Sequence, residues 1–317
     1  MKLLTQVRVA LRLRHYSRRT EKAYVYWIRR FIEFHGRRHP DVLGHAEVTE
    51  FLTHLAVERR VSAATQNQAL SALLFLYGEV LHRPVAWMAD LVRAKAPKRL
   101  PTVLTQEELR AIFARLDGTA GLVCRILYGS GLRLLEALQL RVQHLEFTGE
   151  QIRVRAGKGD RDRVTVLPKT LLTPLREQLR RVSALHRQDC MAGAGWVELP
   201  AALDRKYPAA GREWAWQWVF PGKGIVVDPR TGQRRRHHLH ETTVQRAFRE
   251  AVRLSGVPKP AHCHTLRHSF ATQMLNSGSD IRTVQELLGH TDVRVTMTYL
   301  HVADMGSLGI RSPIDTL

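Results

Sequence analysis

The stretch His264-Thr265-Leu266-Arg267-His268 says more about this chain than any other five residues in it. The surrounding pattern predicts a helix, on which His264, Arg267 and His268 stand at i, i+3 and i+4 and therefore share one face. Alone, the pentapeptide also fits a solvated basic surface. Upstream, Gly131-Leu132-Arg133 sets a cation among Leu132, Leu134 and Leu135, where an unpaired charge is costly unless a carboxylate or an anionic ligand meets it. Glu136 is the obvious carboxylate. Lys158 sits in the turn Gly157-Lys158-Gly159-Asp160, from which it can either swing to a substrate or stay in solvent. Downstream, Leu288-Gly289-His290 ends a helix at a glycine, and Tyr299 follows nine residues after that histidine in Thr296-Met297-Thr298-Tyr299.

The bulk numbers narrow the partner. With 317 residues the chain has room for two domains, each able to bury a core. Its 49 Lys and Arg against 29 Asp and Glu leave a formal charge of +20 and a pI near 10.8. Such an excess points to a polyanion, nucleic acid first, through counterion release. No uncharged stretch approaches the roughly 18 apolar residues of a transmembrane helix, so no membrane association is expected. Met1 to Arg14 alternates Leu with Arg and lacks the apolar centre of a signal peptide. Cys124, Cys190 and Cys263 are odd in number and widely spaced, which argues against a disulfide framework and fits a reducing cytoplasm.

The predicted fold is mainly α with a small antiparallel β-sheet. From Leu3 to Leu91 apolar residues such as Ala23, Trp27, Ile28, Phe31 and Phe34 recur at three and four, as in a helical bundle. Gly36 and Pro40 stop one helix, Ser62 can cap the helix running towards Tyr77, and Pro84 blocks its continuation. The basic, proline-bearing run from Arg93 to Pro101 reads as a linker, giving domains at 1–97 and 98–317. Thr105 with Glu108 forms a capping box, and helices continue to about Leu140. Then Gln151 to Arg155 and Arg163 to Leu167 alternate at period two, as the strands of a hairpin. A helix from Lys169 to His186 precedes a Gly-, Pro- and Trp-rich segment, and helices return near Thr242.

In order and spacing, Arg133, Lys158, His264 with Arg267, His290 and Tyr299 resemble the active-site series of the tyrosine recombinases. The resemblance implies a helical core-binding domain followed by a catalytic domain, the two forming a clamp around DNA. It further implies strand cleavage by Tyr299 through a 3′-phosphotyrosyl intermediate, with Lys158 protonating the departing 5′ oxygen. Leu135 stands where many relatives carry Ser, and Arg161 where a second Lys is common, so the chain departs from the pattern at those two supporting positions.

The physical chemistry agrees with that series. In-line attack on a phosphodiester concentrates charge on the non-bridging oxygens, and fixed cations can meet it without a metal. Arg133 and Arg267 offer planar forks that match phosphate bidentately, and His264 and His290 can add donors or move a proton. A phenol with a free pKa of about 10 must lose its proton to attack, and His264 is the expected base. The groups His262, Cys263, His264, His268 and His237, His238, His240 lack paired metal-ligand spacing, so neither a metal nor another cofactor is expected.

Trp196, Trp214, Trp216 and Trp218 crowd a segment of about 190–236, beside Lys206 and Tyr207. They can build a satellite core or stack on unpaired bases. The alternation at 214, 216 and 218 predicts a strand with three rings on one face. Trp218 or Trp216 is the expected base reader and Trp214 the packing ring, with His237 and His238 as polar companions. The run Leu199 to Pro208, with Glu213-Trp214, Val219-Phe220, Arg236-His237-His238, Gln245 to Phe248 and Arg311-Ser312-Pro313, resembles the integron integrases. That resemblance implies a cytoplasmic enzyme acting as a DNA-bound homotetramer on folded single-stranded hairpin and duplex recombination sites to integrate and excise gene cassettes. The rivals are a phage-type or chromosome-resolving recombinase on duplex sites, and a non-catalytic DNA-binding protein.

Overall fold

The computed structural model describes residues 2–83, 94, 100–155, 162–200, 203–229 and 231–300. Lys158, Arg161, Pro84, most of the linker run and Arg311-Ser312-Pro313 fall outside the described residues. The chain divides into two compact units, Met1–Arg99 and Leu100–Leu317.

In the first unit α1 (Leu3–Leu13), α2 (Arg18–Phe34), α3 (His45–Val57) and α4 (Ala63–Phe75) pack as a bundle, and a π-helical turn Leu76–Val80 extends α4. The caps follow local chemistry. The hydroxyls of Ser17 and Ser62 accept the backbone N–H of Thr20 and Thr65, satisfying donors that the first helical turn leaves unpaired. Leu11, Ile28, Phe31, Phe51, Leu73 and Tyr77 meet in the interior. Burial of Tyr77 is tolerated because its hydroxyl donates to the carbonyls of Pro40 and Leu43, each at 3.1 Å.

The second unit comprises α5 (Gln106–Phe113), α6 (Gly118–Ser130), α7 (Leu134–Leu138), β1 (Leu145–Glu146), β2 (Gln151–Val154), β3 (Arg163–Val166), α8 (Leu172–Met191), α9 (Leu203–Lys206), β4 (Pro221–Val227), β5 (Arg234–His238), α10 (Glu241–Ser255), α11 (Cys263–Asn276), α12 (Ile281–Leu288) and α13 (Val293–Met297). The box at Thr105 forms as the spacing predicts, with Glu108 Oε2 accepting the Thr105 N–H at 2.7 Å. Helix α6 packs against α10 and α11 through Val123, Ile126, Leu127, Val244, Phe248 and Leu266. Strands β1, β2 and β3 form an antiparallel sheet with Ile152 opposite Thr165, and the Thr165 hydroxyl donates to the Ser130 carbonyl at 2.8 Å. A short β-strand β1 joins the expected hairpin.

Helix α6 ends at Gly131 with φ +63°, and a Cβ there would come within 2.5 Å of the Phe270 ring. Only glycine accepts both the left-handed backbone and that approach. The turn it makes sets Arg133 at the N-cap of α7, which is how a cation comes to stand among leucines.

A second antiparallel hairpin, β4 with β5, lies in the stretch that the sequence pattern reads only as irregular. Its strand β5 is Arg-Arg-Arg-His-His, and the two buried arginines are neutralised by carboxylates: Arg235 by Asp228, in the turn of the same hairpin, at 2.8 Å, and Arg236 by Asp189, far upstream on α8, at 2.7 Å. The strand expected at 214–218 does not form. Trp214–Trp216 is a 3-10 turn, because Arg141 reaches in to donate to the Trp216 and Glu198 carbonyls, each at 2.7 Å. The Arg141 guanidinium also lies 3.9 Å from the Trp218 ring centre, a cation–π contact out of water.

Candidate active site

Arg267, on α11, is the most deeply buried cation of the described residues, 1% exposed. Its guanidinium donates to the Gly131 carbonyl at 2.6 Å and the Leu288 carbonyl at 2.7 Å. These acceptors belong to the C-terminal ends of α6 and α12, where unpaired carbonyls and the helix dipole favour positive charge. The carboxylate of Glu136 lies 4.0 Å away. The same carboxylate receives Arg133 at 2.7 Å and a two-pronged contact from Arg163 at 2.6 and 3.0 Å. Arg163 also donates to the Leu287 carbonyl at 2.9 Å and lies close under Gly289, where a Cβ would meet its side chain at 2.8 Å. One carboxylate thus serves three arginines, tying α7, β3 and the end of α12 together.

Glu136 was legible as the partner of Arg133; Arg163 was not, because only the fold brings the strand it opens beside α7. Burial alone would raise the Glu136 pKa, but Arg163 and Arg133 outweigh it and hold the carboxyl at about 2. Arg267 goes the other way. Burial, with Arg133 adding repulsion, brings it down to about 9, leaving it a cation at neutral pH.

Around this cationic base stand three imidazoles and the tyrosine. His290 meets the Arg267 guanidinium with Nε2 at 3.0 Å and the Thr296 hydroxyl with Nδ1 at 2.9 Å. Tyr299, 3% exposed, lies at 20° to the His290 ring and packs with Phe270, Leu275, Val284 and Leu288. Its hydroxyl meets His268 Nδ1 at 3.0 Å. His264 stands edge-on to His268, ring centres 4.5 Å apart. The imidazole that meets the phenol is thus not that of His264, the expected base, but that of His268, a helical turn further along α11. Both histidines share the face that their spacing predicts, and which one meets Tyr299 depends on where α13 delivers the tyrosine.

Burial first, and then the neighbouring arginines and histidines, bring His264 and His268 down to about 4 and His290 to about 3. All three are neutral at pH 7. Burial raises the Tyr299 pKa, while Arg267 and Arg133 pull it down. The arrangement offers fixed cations and hydrogen-bond donors for a phosphate, a hydroxyl nucleophile, and neutral imidazoles able to accept its proton. Among the described residues, no three His, Cys, Asp or Glu side chains converge as a metal site.

Residues 102–305 match the profile of the phage integrase family, and residues 3–87 that of the phage integrase N-terminal SAM-like domain. The chain belongs to the phage integrase family. It is therefore a tyrosine-type DNA cleavage and ligation enzyme. Proteins named integrase/recombinase from Escherichia coli and from Pseudomonas aeruginosa are each 52% identical to it over 317 residues, covering 100% of this chain and 94% of theirs. In fold it is similar to the XerH site-specific recombinase, solved bound to palindromic difH substrate, with a TM-score of 0.62, 20% identity and coverage of 94% of this chain and 80% of the other. Among the described residues of the recombinase, no helix is long and apolar enough to cross a membrane.

The insertion residues separate into two groups. Trp218 is buried against Arg141, donates from its indole to the Arg236 carbonyl at 3.1 Å, and meets the His238 ring edge-on, so it is a packing residue. The expectation of Trp218 as a base reader is corrected accordingly. Trp214, beside His186, and Trp216, beside Arg141, are half-buried. Lys206 lies over the exposed Tyr207 ring at 5.3 Å, and His237 is exposed on β5.

The depressed histidines carry a consequence for stability. A folded pKa below the unfolded value means the unfolded chain binds more protons, so stability is whole above about pH 6.5 and is lost as pH falls towards 4. Buried His144, brought down to about 4 by burial and then Arg141, acts in the same direction. The melting temperature should hold steady from pH 8 to about 6.5 and fall progressively below it. Calorimetric scans across that range check this, and a melting temperature unchanged down to about pH 5 would contradict it.

Proposed function

We propose that the enzyme is a site-specific recombinase of the integron integrase kind, in which Tyr299 attacks a DNA phosphate and holds the cut strand as a 3′-phosphotyrosyl ester. The observation that carries the chemistry is the Tyr299 hydroxyl held at a neutral imidazole beside the Arg133, Arg163, Arg267 and Glu136 cluster. Arg133 and Arg267 would meet the non-bridging oxygens as charge builds there, with His264 and His290 as further donors. Lys158 would protonate the leaving 5′ oxygen. The ester conserves the energy of the broken bond, so rejoining to another 5′ end needs no nucleotide, and exchange between two sites calls for four protomers on DNA. The net charge supports a DNA partner, and a cytoplasmic location fits this chemistry.

The integron reading rests on the insertion. Trp214 and Trp216 are only half-buried, and the same segment carries the exposed Lys206, Tyr207 and His237, with His238 half-buried beside His237 on β5. Aromatic faces beside cations suit bases extruded from a folded single strand. Binding to a bulged hairpin, the same hairpin without bulges and a plain duplex, compared at one salt concentration, tests it. Trp214→Ala or Trp216→Ala should cost on the order of 1–3 kcal/mol on the bulged hairpin and little on the bulge-free one. Trp218→Ala should instead lower stability by about 3–5 kcal/mol and weaken both DNAs alike. A parent chain that prefers the plain duplex would assign it to the duplex-acting phage or chromosome-resolving recombinases instead.

A further inference from the structure

We propose that His268 is the general base of the cleavage step, taking the Tyr299 proton on Nδ1 and returning it when the strand is rejoined. This deepens the nucleophile reading of Tyr299 and rests on it. The geometry is that of a base: Nδ1 lies 3.0 Å from the phenol oxygen, within the reach that proton transfer needs. With its own proton on Nε2, the ring presents a lone pair to the phenol O–H. The tyrosine is 3% exposed and packed among apolar side chains, so bulk water has little access to its hydroxyl. His290, the other imidazole beside the phenol ring, is engaged at both nitrogens by Arg267 and Thr296.

The neighbours explain why His268 is available. Burial first, then His264 a turn away, with His262 at the N-cap of α11 and Arg267 beside it, oppose a positive charge on it, so at neutral pH it stands empty of its second proton. In the step, the Tyr299 O–H bond breaks, its proton moves to His268 Nδ1, and the phenolate oxygen forms the bond to phosphorus. The bond from phosphorus to the 5′ oxygen breaks, and that oxygen takes a proton from the general acid, proposed above to be Lys158. Developing imidazolium charge on His268 is offset by the negative charge gathering on the phosphate. In the rejoining direction the 5′ hydroxyl gives its proton back to that same group and its oxygen bonds to phosphorus, the bond from phosphorus to the tyrosine oxygen breaks, and Tyr299 recovers its proton from His268.

Single-turnover cleavage of a nicked suicide duplex, read as covalent protein–DNA adduct on a denaturing gel, tests this. Failure of the parent chain to form an adduct at Tyr299 would overturn the nucleophile reading itself, separately from the role of His268. Given a parent adduct, His268→Ala should form it about a hundredfold more slowly or worse, with little change in duplex affinity. Added imidazoles should restore the rate in proportion to their basicity, a response that a residue merely positioning the ring would not give. His268→Asn keeps an acceptor oxygen near the Nδ1 position but cannot hold the proton, and should be as slow even if the alanine variant folds poorly. Cleavage by either folded variant within about threefold of the parent, or a slow alanine variant that no imidazole accelerates, would overturn the proposal.

Discussion

Tyr299→Phe is expected to bind DNA about as well as the parent chain and to form no covalent complex at all. The substitution removes one oxygen. The ring keeps its packing against Phe270, Leu275, Val284 and Leu288, and the lost hydrogen bond to His268 costs the fold about 1 kcal/mol. Affinity for DNA comes chiefly from phosphate contacts spread over a strongly basic chain, which this change leaves alone. Cleavage cannot proceed without the attacking oxygen. Filter binding beside a denaturing gel separates the two properties, and an adduct persisting in the variant would show that another residue is the nucleophile.

The second large effect concerns the arginines, and the structure separates two cases that are alike in sequence. Arg133→Lys and Arg267→Lys should each reduce cleavage by about a hundredfold or more, because one ammonium cannot reproduce a two-pronged contact with the transition-state phosphate. Their effects on the fold should differ. Arg133 is partly exposed and its side chain is tied to Glu136, so its lysine variant should melt near the parent temperature. Arg267 is buried and holds the carbonyl ends of two helices together with His290, so its lysine variant should lose stability as well. Rates measured alongside melting curves check both. Near-normal cleavage in either variant would remove that side chain from the reaction.

What could be read from sequence, and what could not, divides along a physical line. Caps at Ser62 and Thr105, the glycine stop at Gly289 and the shared face of His264, Arg267 and His268 are local properties of a few consecutive residues, and all take the form that their pattern dictates. The hairpin of β4 and β5 is different. A run of three arginines has little intrinsic strand preference, and it becomes a strand because its buried members are neutralised, Arg235 by Asp228 across its own hairpin and Arg236 by Asp189, remote in the chain. The tryptophans were misread for the same reason. Alternation at 214, 216 and 218 suggests a strand face, but Arg141, more than seventy residues upstream, captures the Trp216 carbonyl and the Trp218 ring and imposes a turn. At the site itself, sequence supplied two histidines on one helical face, and only the delivery of Tyr299 by the segment after α13 decides that His268 meets it.

The account stands most directly on one bond. A labelled suicide duplex incubated with the recombinase, followed by proteolysis and mass spectrometry of the DNA-linked peptide, locates that bond chemically. The predicted result is a single peptide ending its DNA chain at a 3′ phosphate esterified to Tyr299. A stable adduct through any other side chain, or through a 5′ phosphate, would contradict the mechanism, and cleavage that leaves no protein on the DNA would do the same.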